Sequence, residues 1–342
     1  MNINEVAKKA KVSRSTVSRV INNHPTVKEN TRIAVQRVID ELNYIPNAAA
    51  RSLASNKTNI IGVLVYNIIQ PFWGGIFAGI EQGVSQTDYG LFLANSKSHL
   101  DIWDYKNDYK KNLKNLVLHG VDGIIIALAN DLEVEDVEFL KMSDIPFVII
   151  QNSLHDDRIA CVNVDNITAA YDATRYLIDR GHRHIIHATG PIDSEISKDR
   201  MRGFVMSMQE AGLPIDNSSI VNCGFLFNDG YWCMKRLMGQ ECPPTAILFA
   251  NDVTAFGAYH AAQEEHVSIP NDISIVGFDQ LINEMDVASL LPDLTTMSQP
   301  VSEIGIAAAQ MLFQQLEGNP PLSPVTFSLT LHEGVTSRRL DI

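Results

Sequence analysis

The sequence predicts a two-lobed α/β body, each lobe a doubly wound parallel sheet, preceded by a small all-α helix-turn-helix headpiece. Two observations carry this reading. Beyond residue 58, apolar runs of strand length alternate with amphipathic helical stretches and fall into two groups on either side of about residue 160. Ahead of them, the N-terminal segment VAKKAKVSRSTVSRVIN carries two helical patterns around a short turn.

In the headpiece, Ile3, Val6, Ala7 and Ala10 recur at helical spacing, and Ser13 is placed to cap a second helix carrying Val17, Val20 and Ile21. The turn Lys11-Val12 is short enough to make the two helices cross steeply. In such a unit the second helix enters the DNA major groove with its N-terminal residues facing base edges, here Arg14, Ser15 and, one turn on, Arg19. A guanidinium fork matches the acceptor pair of guanine. Ser13, Thr16, Ser18 and Asn22 are read as phosphate-positioning groups. Taken alone, the same residues also describe an ordinary solvated helix face.

Charge is informative once the chain is divided. The whole chain carries a net of −13, yet residues 1–57 hold ten Lys and Arg against four Asp and Glu, a net of +6 that leaves the other 285 residues at −19. A basic headpiece on an acidic body attracts phosphates at one end and keeps the body off them.

The body strands are read as IIGVLV, GLFLAN, GIIIA, PFVIIQ, HIIHATG, AILFAND and ISIVGFD. Ligands of open parallel sheets lie outside the carboxyl ends of the strands, so a cleft between the lobes is the expected site. Phe72 and Trp73 follow the first strand in NIIQPFWGG and offer a flat face to a sugar ring or a base, or else pack a helix start. Asp279 ends ISIVGFD, where a carboxylate can accept from vicinal hydroxyls or a ring nitrogen. Asn251 ends AILFAND, with Asp252 read as a structural cap.

Together the helix pair, the segment TVKENTRIAVQRVIDELNYIPNAAARSLA and the α/β remainder resemble the LacI/GalR family of bacterial transcription regulators over nearly the whole chain. The resemblance implies a periplasmic-binding-protein-like body and the division 1–44 headpiece, 45–58 hinge helix and linker, 59–342 effector-binding and dimerisation domain. It implies three crossings between lobes, near Val162, Leu290 and Leu322. The N lobe is then about 59–161 and 291–322, and the C lobe about 162–290 and 323–342. It adds Ile3, Thr31, Asn47, Ala50 and Leu53 to the DNA-contacting set, with Leu53 wedging into the minor groove and Ala54 standing where many relatives carry Lys. It implies that Arg200 contacts the effector, with Asn152, Asp193, Ser194 and Phe225 as further pocket residues.

Two departures bear on the ligand. Gln151 and Asn152 stand where many sugar-responsive relatives carry an acidic residue, and Ser194 and Ile196 replace the basic and hydroxyl residues of the purine-responsive branch. A neutral sugar is the leading expectation, with no cofactor and no metal. A purine or sugar-phosphate corepressor, a phosphoprotein partner, or an activating role are the alternatives, and a solute-binding protein is a remote one.

Other classes find little support. No phosphate loop, G-x-S-x-G or H-E-x-x-H motif appears, and His182, His184 and His187 are read as polar strand neighbours, so an enzyme is not expected. Cys161, Cys223, Cys233 and Cys242 lack close-paired spacing and are read as reduced structural thiols. Without a signal peptide or membrane span the protein is expected in the cytoplasm, and without a Leu-rich heptad helix after TSRRLDI it is expected to form a homodimer on a near-palindromic operator.

Overall fold

The computed structural model describes residues 2–21, 24–44, 57–96, 105–129, 132–151, 158–281 and 292–340, with backbone only at 105–107. The chain divides into two compact units, Met1–Asn59 and Ile60–Ile342.

The first unit holds α1 (Ile3–Ala10), α2 (Arg14–Ile21) and α3 (Glu29–Glu41). Asn2 caps α1, its side-chain oxygen accepting from the N–H groups of Asn4 and Glu5. Lys11, with φ of 54°, then turns the chain, and Ser13 Oγ accepts the Thr16 N–H at 3.1 Å to open α2. Val6, Val17, Val20 and Val35 close a small core, against which Ile3, Ala10, Ile21 and Tyr44 pack. The sequence reading did not single out α3, which supplies Val35 and Val38 to this core.

In the second unit, one lobe contains β1 (Ile60–Val65), β2 (Gly90–Asn95), β3 (Gly123–Ala127), β4 (Phe147–Ile150) and β5 (Ala160–Val164). Between them run α4 (Pro71–Val84), α5 (Tyr105–Leu118) and α6 (Val134–Met142). The other lobe contains β6 (Ile185–Thr189), β7 (Ile220–Asn222), β8 (Ala246–Phe249), β9 (Ser274–Asp279) and β10 (Thr296–Ser298). Its helices are α7 (Asn166–Asp179), α8 (Glu195–Glu210), α9 (Phe227–Met238) and α10 (Asp252–Glu264). The chain then returns to the first lobe as α11 (Val301–Leu316) and β11 (Val325–Phe327), and ends in the second as β12 (Thr330–His332).

The sheet orders are β11-β5-β4-β3-β1-β2 and β12-β10-β9-β8-β6-β7. All pairings are parallel except β10 with β12, an antiparallel edge strand that the parallel-sheet reading did not include. Strands buried on both faces, such as β3 and β9, are the near-continuous apolar runs seen in the sequence.

The three crossings differ from the expected positions. β5 runs on to Val164, paired with β11 from Val162 onward, so the first crossing falls just past the expected point, at Asp165. β10 pairs with β9 in the second lobe, so residues 292–298 belong there and the second crossing lies at Gln299–Pro300. β11 pairs with β5, which moves the third from Leu322 to Ser328–Leu329. The family resemblance supplied the expected positions; backbone pairing sets the observed ones. Leu290 lies outside the described residues.

The returning α11 docks tightly on α4. A Cβ at Gly79 would sit 2.1 Å from the Ser302 carbonyl oxygen, and one at Gly305 would sit 2.2 Å from that of Ile76. Since both obstacles are backbone, Gly79→Ala or Gly305→Ala must push the helices apart. Each is expected to cost about 1–3 kcal/mol, read from the midpoint of urea unfolding.

Candidate functional site

The headpiece presents both paired cations and cations without an ion-pair partner among the described residues. Lys9 and Arg37 are drawn to Glu41, at 3.0 and 3.3 Å, and hold its carboxyl below the usual range. Arg14 and Arg19 on α2 are exposed and make no ion pair among the described residues. Ser15 is exposed beside them, while Thr16 and Ser18 are half-buried. Ser13 is occupied locally, its hydroxyl lying 2.8 Å from those of Ser15 and Thr16. Ile3 is half-buried against the core, and Thr31 is half-buried in the first turn of α3. Asn22, Asn47, Ala50 and Leu53 lie outside the described residues.

In the body, the carboxyl ends of both sheets open onto one cavity enclosing about 400 Å³ of empty space, its mouth included. The first lobe lines it from the ends of β1, β3 and β4 with Tyr66, Gln70, Phe72, Trp73, Ala129 and Gln151. The second lobe faces them with Ile196, Arg200, Phe225, Asn251 and Asp279. In each sheet the strand order reverses beside its first strand, β1 or β6, so helices on opposite faces leave a crevice there.

Local chemistry fixes these side chains. Asn95 at the end of β2 accepts the Ile68 N–H at 3.0 Å and holds the loop after β1. Pro71 then starts α4, its fixed φ suited to a first helical turn. Phe72 and Trp73 therefore belong to a helix start, set edge to face with centroids 4.9 Å apart, and Tyr66 tilts against Trp73. Asn251 caps α10 by accepting the Thr254 N–H at 2.9 Å, and its Nδ2 donates to the Phe225 carbonyl at 3.2 Å. Ser194 donates from its hydroxyl to the Ala129 carbonyl at 3.2 Å, a direct bond from one lobe to the other.

At the centre is a buried charged group. Arg200 is 3 % exposed, donates from Nε to Asn166 at 2.9 Å and from Nη1 to the Ala250 carbonyl, and stacks on the Phe278 ring. Its Nη2 lies 3.8 Å from Asp279, which also accepts from Gln299 at 2.5 Å. Burial pushes the Asp279 carboxyl up to about 7, against the opposing pull of Arg200 and Gln299. Asp252 is raised as well, first by burial and then by the Asp279 charge. Asp279 adopts φ of 110°, a conformation rarely taken by a residue with a side chain, found here at the cavity wall.

Several buried amide groups are unpartnered. Both polar atoms of Gln151, Nε2 of Gln70 and Oε1 of Gln299 have no hydrogen-bond partner among the described residues. Two of these three side chains line the cavity. Such groups cost roughly 1–3 kcal/mol each while unpaired, which favours any ligand that offers both donors and acceptors.

Comparison with known proteins agrees with both halves of this architecture. Residues 2–47 match the family model described as bacterial regulatory proteins, lacI family, and residues 58–333 match periplasmic binding proteins and sugar binding domain of LacI family. Catabolite control protein A of Priestia megaterium is 36 % identical over 91 % of this chain and 91 % of its own length. The chain belongs to the LacI family. It is a DNA-binding transcriptional repressor of that family. The ribose operon repressor of Escherichia coli (strain K12) is 32 % identical over 95 % of this chain and 96 % of its own. The crystal structure of the Lac repressor dimer bound to operator and the anti-inducer ONPF shares the fold with a TM-score of 0.86, at 24 % identity over 99 % of both chains.

Set against this LacI-family frame, the structure brings Phe72, Trp73, Arg200, Phe225, Asn251 and Asp279 together at one cavity. Ser194 bridges the lobes and Asp193 is exposed to solvent. Asn152 lies outside the described residues. Asp252 is not the helix cap expected of it: Asn251 takes that role, and Asp252 accepts from Thr296 at 2.6 Å and from the Leu281 N–H at 2.9 Å. Tyr66, Gln70 and Ala129 were not singled out from sequence; their position just past strand ends is the signal that could have found them. His187 is buried in β6, its Nδ1 donating to the Leu248 carbonyl at 3.0 Å, and burial lowers it to about 4. No helix among the described residues is long and apolar enough to cross a membrane.

The Asp279 shift predicts a pH signature. An unfolded carboxyl titrates near 3.9, so between about 4 and 7 the native state holds a proton that the unfolded state has lost. Asp279 therefore contributes stability that is full below about pH 4 and lost as pH rises through 7. His187 acts oppositely, its contribution being lost as pH falls through 6.5 toward 4. Subtracting Asp279→Asn from wild type cancels His187. The difference in unfolding free energy is expected to fall with rising pH by up to about 1.4 kcal/mol per unit, and a flat difference would contradict the shift.

Proposed function

We propose that this repressor acts as a homodimer on a near-palindromic operator of carbohydrate-utilisation genes and is released by a neutral sugar bound between the lobes. The observation that carries this reading is the cavity itself. One buried cation is set against one carboxyl, and aromatic rings and neutral amides form much of the remaining wall.

A sugar phosphate fits less well. Among the described residues Arg200 is the sole cation lining the cavity, and Asn166, Ala250 and Asp279 already engage it. A purine corepressor would share the aromatic wall but find Ile196 where hydrogen-bonding groups would serve it. The effector is a ligand and no cofactor, and no catalytic step is assigned to a protein whose relatives are named as regulators. A repressor that acts on an operator is read as a cytoplasmic protein.

Mechanistically, α2 of each protomer enters one half-site, with Arg14, Ser15 and Arg19 at base edges and Thr16, Ser18, Asn22 and Thr31 at phosphates. Leu53, with Asn47 and Ala50, acts at the operator centre. The Ser194–Ala129 bond closes one arrangement of the lobes. A sugar contacting Gln151 on one side and Arg200 and Asp279 on the other changes the balance between lobe angles only by its differential affinity for them. About 1–3 kcal/mol of such coupling gives the usual range of response.

Two experiments test this reading. Melting of the purified protein is measured against neutral sugars, sugar acids, sugar phosphates and nucleobases, where a ligand at a hundred times its Kd adds about 2.7 kcal/mol. A hit among neutral sugars that Asp279→Asn abolishes is expected; a hit confined to phosphates or nucleobases overturns the sugar reading. On the DNA side, Arg14→Ala is expected to weaken specific operator binding by about 1–3 kcal/mol and relax base preference at one position. Unchanged discrimination would remove Arg14 from base reading.

A further inference from the structure

We propose that the Ser194 hydroxyl is a two-position latch: in the arrangement seen here it ties the second lobe to the first, and when the lobes part it turns back to cap α8, so that Ser194 sets the balance between lobe arrangements. The regulatory half of this proposal rests on the reading that lobe angle carries the response. Ser194 stands immediately ahead of α8, the helix that brings Ile196 and Arg200 to the cavity wall. It is 1 % exposed, and its Oγ donates to the Ala129 carbonyl, just past β3 in the other lobe, at 3.2 Å.

A serine in this position ordinarily does something else. A Ser, Asp or Asn ahead of a helix accepts an N–H from the first turn, satisfying a donor that the helix leaves open. Asn2, Ser13, Asp165 and Asn251 all do so, Asp165 accepting the Thr168 N–H at 3.0 Å. Ser194 has the extended backbone of such a residue, with φ of −78° and ψ of 127°, yet its side chain makes no bond to α8. Its backbone is held on both sides: its N–H donates to the Pro191 carbonyl and its own carbonyl accepts the Lys198 N–H, each at 3.0 Å. Only a rotation about the Cα–Cβ bond separates the observed position of the hydroxyl from the cap.

The first turn of α8 shows what the latch displaces. Its N–H groups receive no side-chain acceptor from Ser194. The hydroxyl of Ser197, the third residue of the helix, is buried with no hydrogen-bond partner among the described residues. It lies behind the cavity wall, where a Cβ on Gly190 would fall 2.3 Å from the Phe225 ring and 2.5 Å from Ser197 Oγ. The latched arrangement therefore gives up a cap within one lobe for a bond between two. When the lobes part, the Ala129 carbonyl is free to bind water and the Ser194 hydroxyl can accept the Ser197 N–H. Each arrangement keeps one hydrogen bond to Ser194, so the balance between them is shallow and responds to a small bias.

The test uses the full-length protein without ligand, with Trp103→Phe and Trp232→Phe, so that acrylamide quenching reports on Trp73 alone, 4 % exposed at the cavity wall. Ser194→Thr keeps both the donor and the cap and is expected to match the parent. Ser194→Gly and Ser194→Asp lose the bond to Ala129 but still suit a helix cap. Both are expected to shift the ratio of arrangements toward the open one by roughly 2- to 10-fold and so to raise quenching of Trp73. Ser194→Ala loses the bond and the cap together, so it is expected to lower the melting temperature while moving quenching far less than Ser194→Gly does. Equal quenching in Ser194→Ala and Ser194→Gly would make Ser194 a one-position latch and overturn the proposal, and no change in any variant overturns the latch itself. Operator affinity without ligand is expected to change in the same order across the four variants. A common affinity despite unequal quenching overturns the regulatory half. None of these readouts needs a sugar, so the effector assignment can fail without touching them.

Discussion

A guanidinium with almost no access to water must find its compensation inside the protein, and the architecture of the cleft follows from how Arg200 finds it. Its partners come from three separate segments: Asn166 at the start of α7, the Ala250 carbonyl past β8, and Asp279 at the end of β9. Phe278 supplies a ring face beneath it. Asp279 in turn accepts from Gln299, which sits at the second crossing between the lobes. The charged centre of the cleft is thus one hydrogen bond from a chain segment that joins the two lobes.

Burying so much polar chemistry has a cost that the fold meets unevenly. Asp252 is satisfied by Thr296 and Leu281, and the Asn251 side chain is engaged on both sides. Gln151 has both amide atoms unpartnered among the described residues, and Gln70 one. Arg200, Asn251 and Asp279 line the space with partners already in place, whereas Gln70 and Gln151 line it with amide atoms unpartnered among the described residues.

Much of this was legible in the sequence where local physics decides the outcome. The apolar runs became strands because burial on both faces demands it, and Ser13 caps α2 as its position before an apolar-periodic run implies. Arg200 and Asp279 were picked out by their place in a recognised pattern, and they do lie together at the cavity. Tyr66, Gln70 and Ala129 were not picked out: their place just past strand ends marks them only generally, and they join one wall because two lobes far apart in sequence close over the cavity. Asp252 misled for a related reason: a carboxylate opening a helix looks like a cap, yet the preceding Asn251 already fills that position. The crossings were displaced because the resemblance places them only by matching position, whereas the pairing of three-residue strands such as β10 and β11, which fixes them, is not visible in sequence.

The return of α11 and β11 to the first lobe also has a consequence during synthesis. β1 to β5 emerge from the ribosome with one face of the sheet bare where α11 will lie and with β5 as an open edge until β11 arrives. At about 5–20 residues per second, the wait between Val164 and Phe327 is on the order of 10–30 s. The first lobe, though begun first, therefore stays unfinished until nearly the whole chain is made, and through that interval an apolar surface and an unpaired strand stand ready for the wrong partner, including the same lobe of a neighbouring nascent chain.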